Sequence, residues 1–263
     1  MTSKRALAGV SILFVLATLA ACGGGGGGGG GGVTVTPPPS NVPRFAYVAN
    51  GSDNTVSIYT VNAATGQLRH NGYVATEASP HSVSVDPSGK FAYVANWGSN
   101  TVSAYTINAS TGALTSVGAA VATGSIPQSV TVDPSGRFAY VANASSNTVS
   151  AYTINASTGA LTSVGAAVAT GSIPQSVTVD PSGRFAYVAN RASNNISAYT
   201  INTSTGALTS VGDGVAAGTN PVSVAVDPSG RFVYAANSGS FNVSAYTINT
   251  STGALTSIGG VTA

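Results

Sequence analysis

Seven side chains stand outside the chain's repeating pattern and carry a charge or a titratable ring: Asp53, Arg69, His70, Glu77, His81, Arg191 and Asp213. His81 is the best candidate for proton transfer, because an imidazole changes charge near neutral pH and can take a proton from water. Glu77 lies four residues before it and would orient the ring if a loop brought the two together. His70 follows Arg69 in a hairpin and reads as a surface group. Trp97 offers a flat face on which a sugar ring can stack. There is no Gly-x-Ser-x-Gly elbow, no His-Glu-x-x-His, no phosphate-binding loop and no His or Cys cluster spaced for zinc. No metal and no cofactor are therefore expected.

The other charged residues recur in register. Asp86, Asp133, Asp180 and Asp227 each open an Asp-Pro-Ser-Gly turn, and Arg44, Lys90, Arg137, Arg184 and Arg231 stand at spacings of 46, 47, 47 and 47. A residue repeated at one place in every unit serves the unit more readily than a reaction. Residues 101–143 and 148–190 are identical over all 43 positions. Each unit holds four apolar runs rich in Val, Ile, Thr, Tyr and Phe, separated by turn residues and without helical period. In the third unit these runs are Ser129–Val132, Phe138–Ala142, Thr148–Ile154 and Ala160–Val164. Both faces of a run such as Phe138–Ala142 are apolar or small, so each sheet needs a neighbour on either side. Stacked units of four antiparallel strands make an all-β fold, a β-propeller. Five Arg-Phe-Ala-Tyr-type segments imply about five blades, with a closed ring preferred to an open arc. The first unit lacks an Asp-Pro-Ser-Gly turn, and Val33–Thr36 is the candidate for its inner strand.

Propeller topology puts two sets of loops on one rim: those leading into the inner strands and those joining strands two and three. The first set reads His81, Gln128, Gln175 and Val222; the second reads Asp53, Trp97, Arg191 and Phe241. A polar ligand would meet Trp97, Gln128, Gln175 and Arg191 there, with His81 as the catalytic candidate.

The segments Tyr-Val-Ala-Asn, Asn-Thr-Val-Ser-Ala-Tyr-Thr-Ile-Asn and Val-Asp-Pro-Ser-Gly-Arg-Phe-Ala-Tyr-Val-Ala-Asn resemble the β-propeller lactonase family, which includes 6-phosphogluconolactonase, and the wider YVTN-repeat propellers of bacterial surfaces. The resemblance spans residues 44–263. It implies a propeller fold and, as an activity, lactone hydrolysis. Pro80-His81-Ser82-Val83 is similar to an element common in the family, which implies a site role for His81. Propellers of that family have seven blades as a rule, two more than this repeat count.

The N-terminus reads as an address. Lys4 and Arg5 precede an apolar run from Ala6 to Ala21, and Leu19-Ala20-Ala21-Cys22 is similar to a lipobox. Residues 1–21 are expected to be a signal peptide. Residues 22–43 would hold a lipidated Cys22 and a linker of ten glycines and three prolines, and 44–263 the propeller. A lipid on Cys22 would tether the domain to a membrane in the cell envelope, with Gly23 favouring the outer membrane. Without Lys4 and Arg5, seven basic and seven acidic residues remain, so nothing calls for a nucleic acid partner.

Two functions fit these residues. Identical blades present identical contacts and favour a binding or scaffold module of the envelope, recognising a glycan or a surface protein with avidity. The alternative is a lactone hydrolase resembling 6-phosphogluconolactonase. In it His81 would activate water while Arg191 or the glutamines hold the lactone.

Overall fold

The computed structural model describes residues 44–262, all in strands, turns and connecting loops. The first blade has three strands, β1 (Phe45–Asn50), β2 (Thr55–Val61) and β3 (Leu68–Ala75). The second contains β4 (Pro80–Val85), β5 (Phe91–Asn96), β6 (Thr101–Ile107) and β7 (Leu114–Ser116), with the two-residue β8 (Val121–Ala122) also pairing β6. The third repeats this as β9 (Pro127–Val132), β10 (Phe138–Asn143), β11 (Thr148–Ile154), β12 (Leu161–Ser163) and β13 (Val168–Ala169). The fourth has β14 (Pro174–Val179), β15 (Phe185–Asn190), β16 (Asn195–Ile201), β17 (Leu208–Ser210) and β18 (Val215–Ala216). The fifth has β19 (Pro221–Val226), β20 (Phe232–Asn237), β21 (Asn242–Ile248) and a long β22 (Leu255–Thr262). Every pairing within a blade is antiparallel, and strands follow one another in chain order. The sheets are those of a β-propeller. The short strands β8, β13 and β18 were not expected. Four residues such as Val117–Ala120 interrupt the outer strand in blades two to four, whereas Ile258-Gly259-Gly260 lets β22 run through.

Local chemistry explains the hairpins. In the third blade, the carboxylate of Asp133 accepts the backbone N–H groups of Arg137 and Phe138, both at 2.8 Å, and that of Ser135 at 3.1 Å. The Ser135 hydroxyl donates to the same carboxylate. These bonds close a turn that Pro and Gly already favour. The Arg137 guanidinium lies 5.0 Å over the Phe138 ring. The repeated charges thus serve the turn and the strand, as the sequence suggested.

Packing between blades is also repeated. The four buried clusters each occupy one junction between successive blades. In each, a tyrosine from one blade reaches the outer turn of the next: Tyr47, Tyr93, Tyr140 and Tyr187 donate to the carbonyls of Gly112, Gly159, Gly206 and Gly253 at 2.9–3.0 Å. A buried phenol must keep such a partner, and burial raises the pKa of all four hydroxyls well above the ordinary tyrosine value. The accepting turn needs glycine: Gly206 sits at φ +78°, and a Cβ there would overlap the Phe138 ring.

Among the described residues there are four such junctions and no fifth joining the last blade to the first. The described blades form an open run of five rather than the preferred closed ring. Leu68 of the first blade is 47% exposed, whereas its equivalents Leu114, Leu161, Leu208 and Leu255 are buried inside junctions. Val33–Thr36, expected as the first inner strand, lies outside the described residues, as does Cys22.

Candidate functional site

Each complete blade carries a β-bulge at the start of its inner strand. Asn96 pairs with Pro80 and Ala95 with Ser82, which leaves His81 as the extra residue. The same shift singles out Gln128, Gln175 and Val222. A bulge bends its strand and re-aims the extra side chain. The four positions assigned to one rim are therefore the four whose side chains the sheet does not dictate.

The backbone immediately before each bulge is also unusual. Ser79, Ile126, Ile173 and Asn220, each followed by proline, have φ values of 51–58°. For a β-branched residue this is a strained conformation, costing about 1–3 kcal/mol. Neighbours hold it in place. The Ile126 N–H donates to the side-chain oxygen of Asn100 in the preceding blade at 2.7 Å, and the Ile126 carbonyl accepts from the Ala144 N–H at 2.8 Å. Asn54, Asn147 and Asn194 clamp the other three positions in the same way. Strain of this kind concentrates at functional sites. Sequence reasoning missed it, although the X-Pro dipeptide before every bulge was a visible signal.

The second set of loops comes to the same rim. The Trp97 N–H donates to the Ser79 carbonyl at 2.9 Å, two residues from His81, and the Arg191 N–H donates to the Ile173 carbonyl at 3.0 Å, two residues from Gln175. Trp97 and Arg191 are exposed, while His81, Gln128 and Gln175 are half-buried. His81 and Trp97 thus share the second blade, Gln128 stands on the third, and Gln175 and Arg191 share the fourth.

His81 is held across a blade junction, with its Nδ1 3.0 Å from the Gln128 carbonyl. A carbonyl oxygen only accepts, so Nδ1 carries the proton in the neutral ring and Nε2 keeps its lone pair. That tautomer is the one a general base requires. Glu77 does not orient the ring: it is exposed, and the Gln128 carbonyl takes that role. His70 is exposed and packs edge-on to Tyr59 at 5.5 Å, a surface contact as expected.

The larger concavities lie at the opposite rim. A shallow cleft of about 330 Å³ is lined by Asp180, Ser182, Arg184, Ser229 and Thr250, and a smaller one by the equivalent groups one blade earlier. Their carboxylates are occupied in capping the turns. Neither cleft contains a candidate residue, and the bulged rim offers the chemistry that these lack.

Comparison with solved structures places the fold. A protein from Bacteroides uniformis, described as a candidate 6-phosphogluconolactonase, is similar over 85% of this chain and 69% of its own, with a TM-score of 0.75 and 21% identity. Another so described, from Bacteroides fragilis, matches 83% of this chain and 68% of its own, with a TM-score of 0.73 and 22% identity. The periplasmic gluconolactonase of Pseudomonas aeruginosa matches 84% of this chain and 68% of its own, at 0.69 and 23%. At such identities the likeness is one of fold. No curated protein matches the chain by sequence. The model of the lactonase family, described as a seven-bladed β-propeller, matches residues 40–179 and 174–262, and the chain belongs to that family.

Proposed function

We propose that the chain binds a sugar lactone on the bulged rim and hydrolyses it, with His81 as general base. The observation that carries this reading is the bond from Nδ1 of His81 to the Gln128 carbonyl, which fixes the tautomer and leaves Nε2 free. Membership of the lactonase family supports it. Nε2 takes a proton from water as the oxygen attacks the lactone carbonyl carbon. The ring C–O bond then breaks, and the departing alkoxide recovers the proton from the imidazolium. The product is the open hydroxy acid, which ionises at neutral pH. Gln128 and Gln175 offer amide donors and acceptors to hydroxyl groups, Arg191 a cation for the carbonyl oxygen, and Trp97 a stacking face. One cation among these residues suits an uncharged lactone better than a phosphorylated one. In this reading a lipid on Cys22 keeps the enzyme in the envelope.

The test is proton release from plain and phosphorylated sugar lactones, comparing the protein with its His81→Ala variant. Turnover on plain lactones that disappears with His81 supports the proposal. Equal rates for protein, variant and buffer refute it and return the rim to the binding or scaffold reading, to be pursued with glycan arrays.

A further inference from the structure

The fifth blade turns to solvent the face that the earlier blades bury. Tyr93, Tyr140 and Tyr187 are fully buried against the following blade, whereas their equivalent Tyr234 is 41% exposed. Val102, Val149 and Ile196 are fully buried, whereas Val243 is exposed. Ala236 is exposed and Phe232 half-exposed, though their counterparts Ala189 and Phe185 lie inside a junction cluster. Val222, the bulged residue of this blade, adds to the patch, and so does Phe241 at 74% exposure. An uncovered patch with two aromatic rings at its centre has the composition of a protein interface.

Two observations indicate what covers it. First, the polar clamp that receives a following blade is gone. Asn54, Asn100, Asn147 and Asn194 each accept a backbone N–H of the next blade, but the same left-handed loop position in the fifth blade is Phe241, at φ 51°. A phenylalanine there keeps the conformational cost and makes no such bond. The first blade is also a poor continuation, because its described strands lack an inner strand. Valine pairs such as Val130 and Val132 fill the receiving half of a junction from that strand. Second, the patch of Val222, Phe232, Tyr234, Ala236, Phe241 and Val243 carries no formal charge. A neutral apolar surface can meet its own copy across a two-fold axis without opposing like charges, and two-fold dimers are the commonest closed assemblies.

We propose that this face is an isologous dimer interface, covered by the same face of a second copy of the chain. Tyr234, Phe241 and Val243 form its centre. The experiment is sedimentation velocity on the purified full chain and its variants, each checked for folding by circular dichroism. The parent is expected to sediment as a dimer, and Val243→Arg to weaken association by about tenfold or more, as truncating or charging an interface centre does. Phe241→Ser, in a loop, should do the same without touching a strand. Mixing Val243→Arg with Val243→Asp should restore the dimer, because a two-fold places position 243 of one copy near position 243 of the other. A parent that stays monomeric up to about 100 µM, a concentration that detects even weak interfaces, overturns the proposal. So does association that the variants leave undiminished, which would lie on another surface. Failure of the mixture to associate also overturns it and indicates a head-to-tail contact.

Discussion

Replacing Ala217 by threonine should stabilise the protein. Each complete blade buries an asparagine at the end of its second strand. Asn143 donates through its amide nitrogen to Thr148 and Ser150, at 3.2 and 2.9 Å, and its amide oxygen accepts from the Thr123 hydroxyl at 2.9 Å. Asn96 and Asn190 receive the same bond from Thr76 and Thr170, at 3.1 and 2.9 Å. In the fifth blade Asn237 keeps both donor bonds, to Asn242 and Ser244, but its buried oxygen has no partner. The position that should supply one, 47 residues after Thr170, is Ala217. Leaving a buried acceptor unmade costs about 1–3 kcal/mol, and a neutral hydrogen bond contributes about 1 kcal/mol net. Position 217 is as half-buried as Thr123 and Thr170, so the hydroxyl and methyl have a place that two other blades already fill. We expect Ala217→Thr to raise unfolding free energy by about 1 kcal/mol, read as a higher urea midpoint at unchanged slope. Thr170→Ala should lower it by about 1–2 kcal/mol, because it orphans the Asn190 oxygen. An unchanged or lower midpoint for Ala217→Thr would show that the Asn237 oxygen costs nothing, and would refute the reasoning.

Three further perturbations test the scaffold. Tyr187→Phe removes the hydroxyl that bonds to the Gly253 carbonyl and should lower stability by about 1 kcal/mol in urea unfolding, with the fold intact by circular dichroism. Gly159→Ala sets a Cβ against the Phe91 ring at φ +77°; the overlap and the backbone strain together should cost about 2 kcal/mol or more, seen as an early thermal transition. Asp227 is the acid probe. Burial raises its pKa slightly, but hydrogen bonds from Ser229, Phe232 and Arg231 outweigh this and hold the carboxyl below its ordinary value. A depressed folded pKa means that the stabilisation is fully present above the ordinary carboxylate range, around pH 4, and is lost as pH falls through the lower folded value. Asp227→Asn should therefore be less stable than the parent at pH 7, and the gap should close on titration below about pH 4. A gap independent of pH would contradict the assignment.

Much of this architecture was legible because it is local and repeated. The Asp-Pro-Ser-Gly turns, the alternation of β-formers and the 47-residue period each specify structure within one hairpin, and identical segments must fold alike in equivalent surroundings. The pattern also put His81, Trp97, Gln128, Gln175 and Arg191 on one rim, since strand order alone decides which loops share an end. What a single blade does not contain was illegible. The bulge that frees His81, the left-handed residue before each proline, and the carbonyl of Gln128 that orients the imidazole in place of Glu77 all depend on hydrogen bonds between blades. Those bonds join groups as far as 47 residues apart, and no local pattern encodes them. The exposed faces of the last blade and of Leu68 are likewise a matter of tertiary structure, because Tyr234 and Tyr187 sit in nearly the same sequence. A repeat determines the blade; whether a given blade finds a neighbour is decided only when the blades are placed in space.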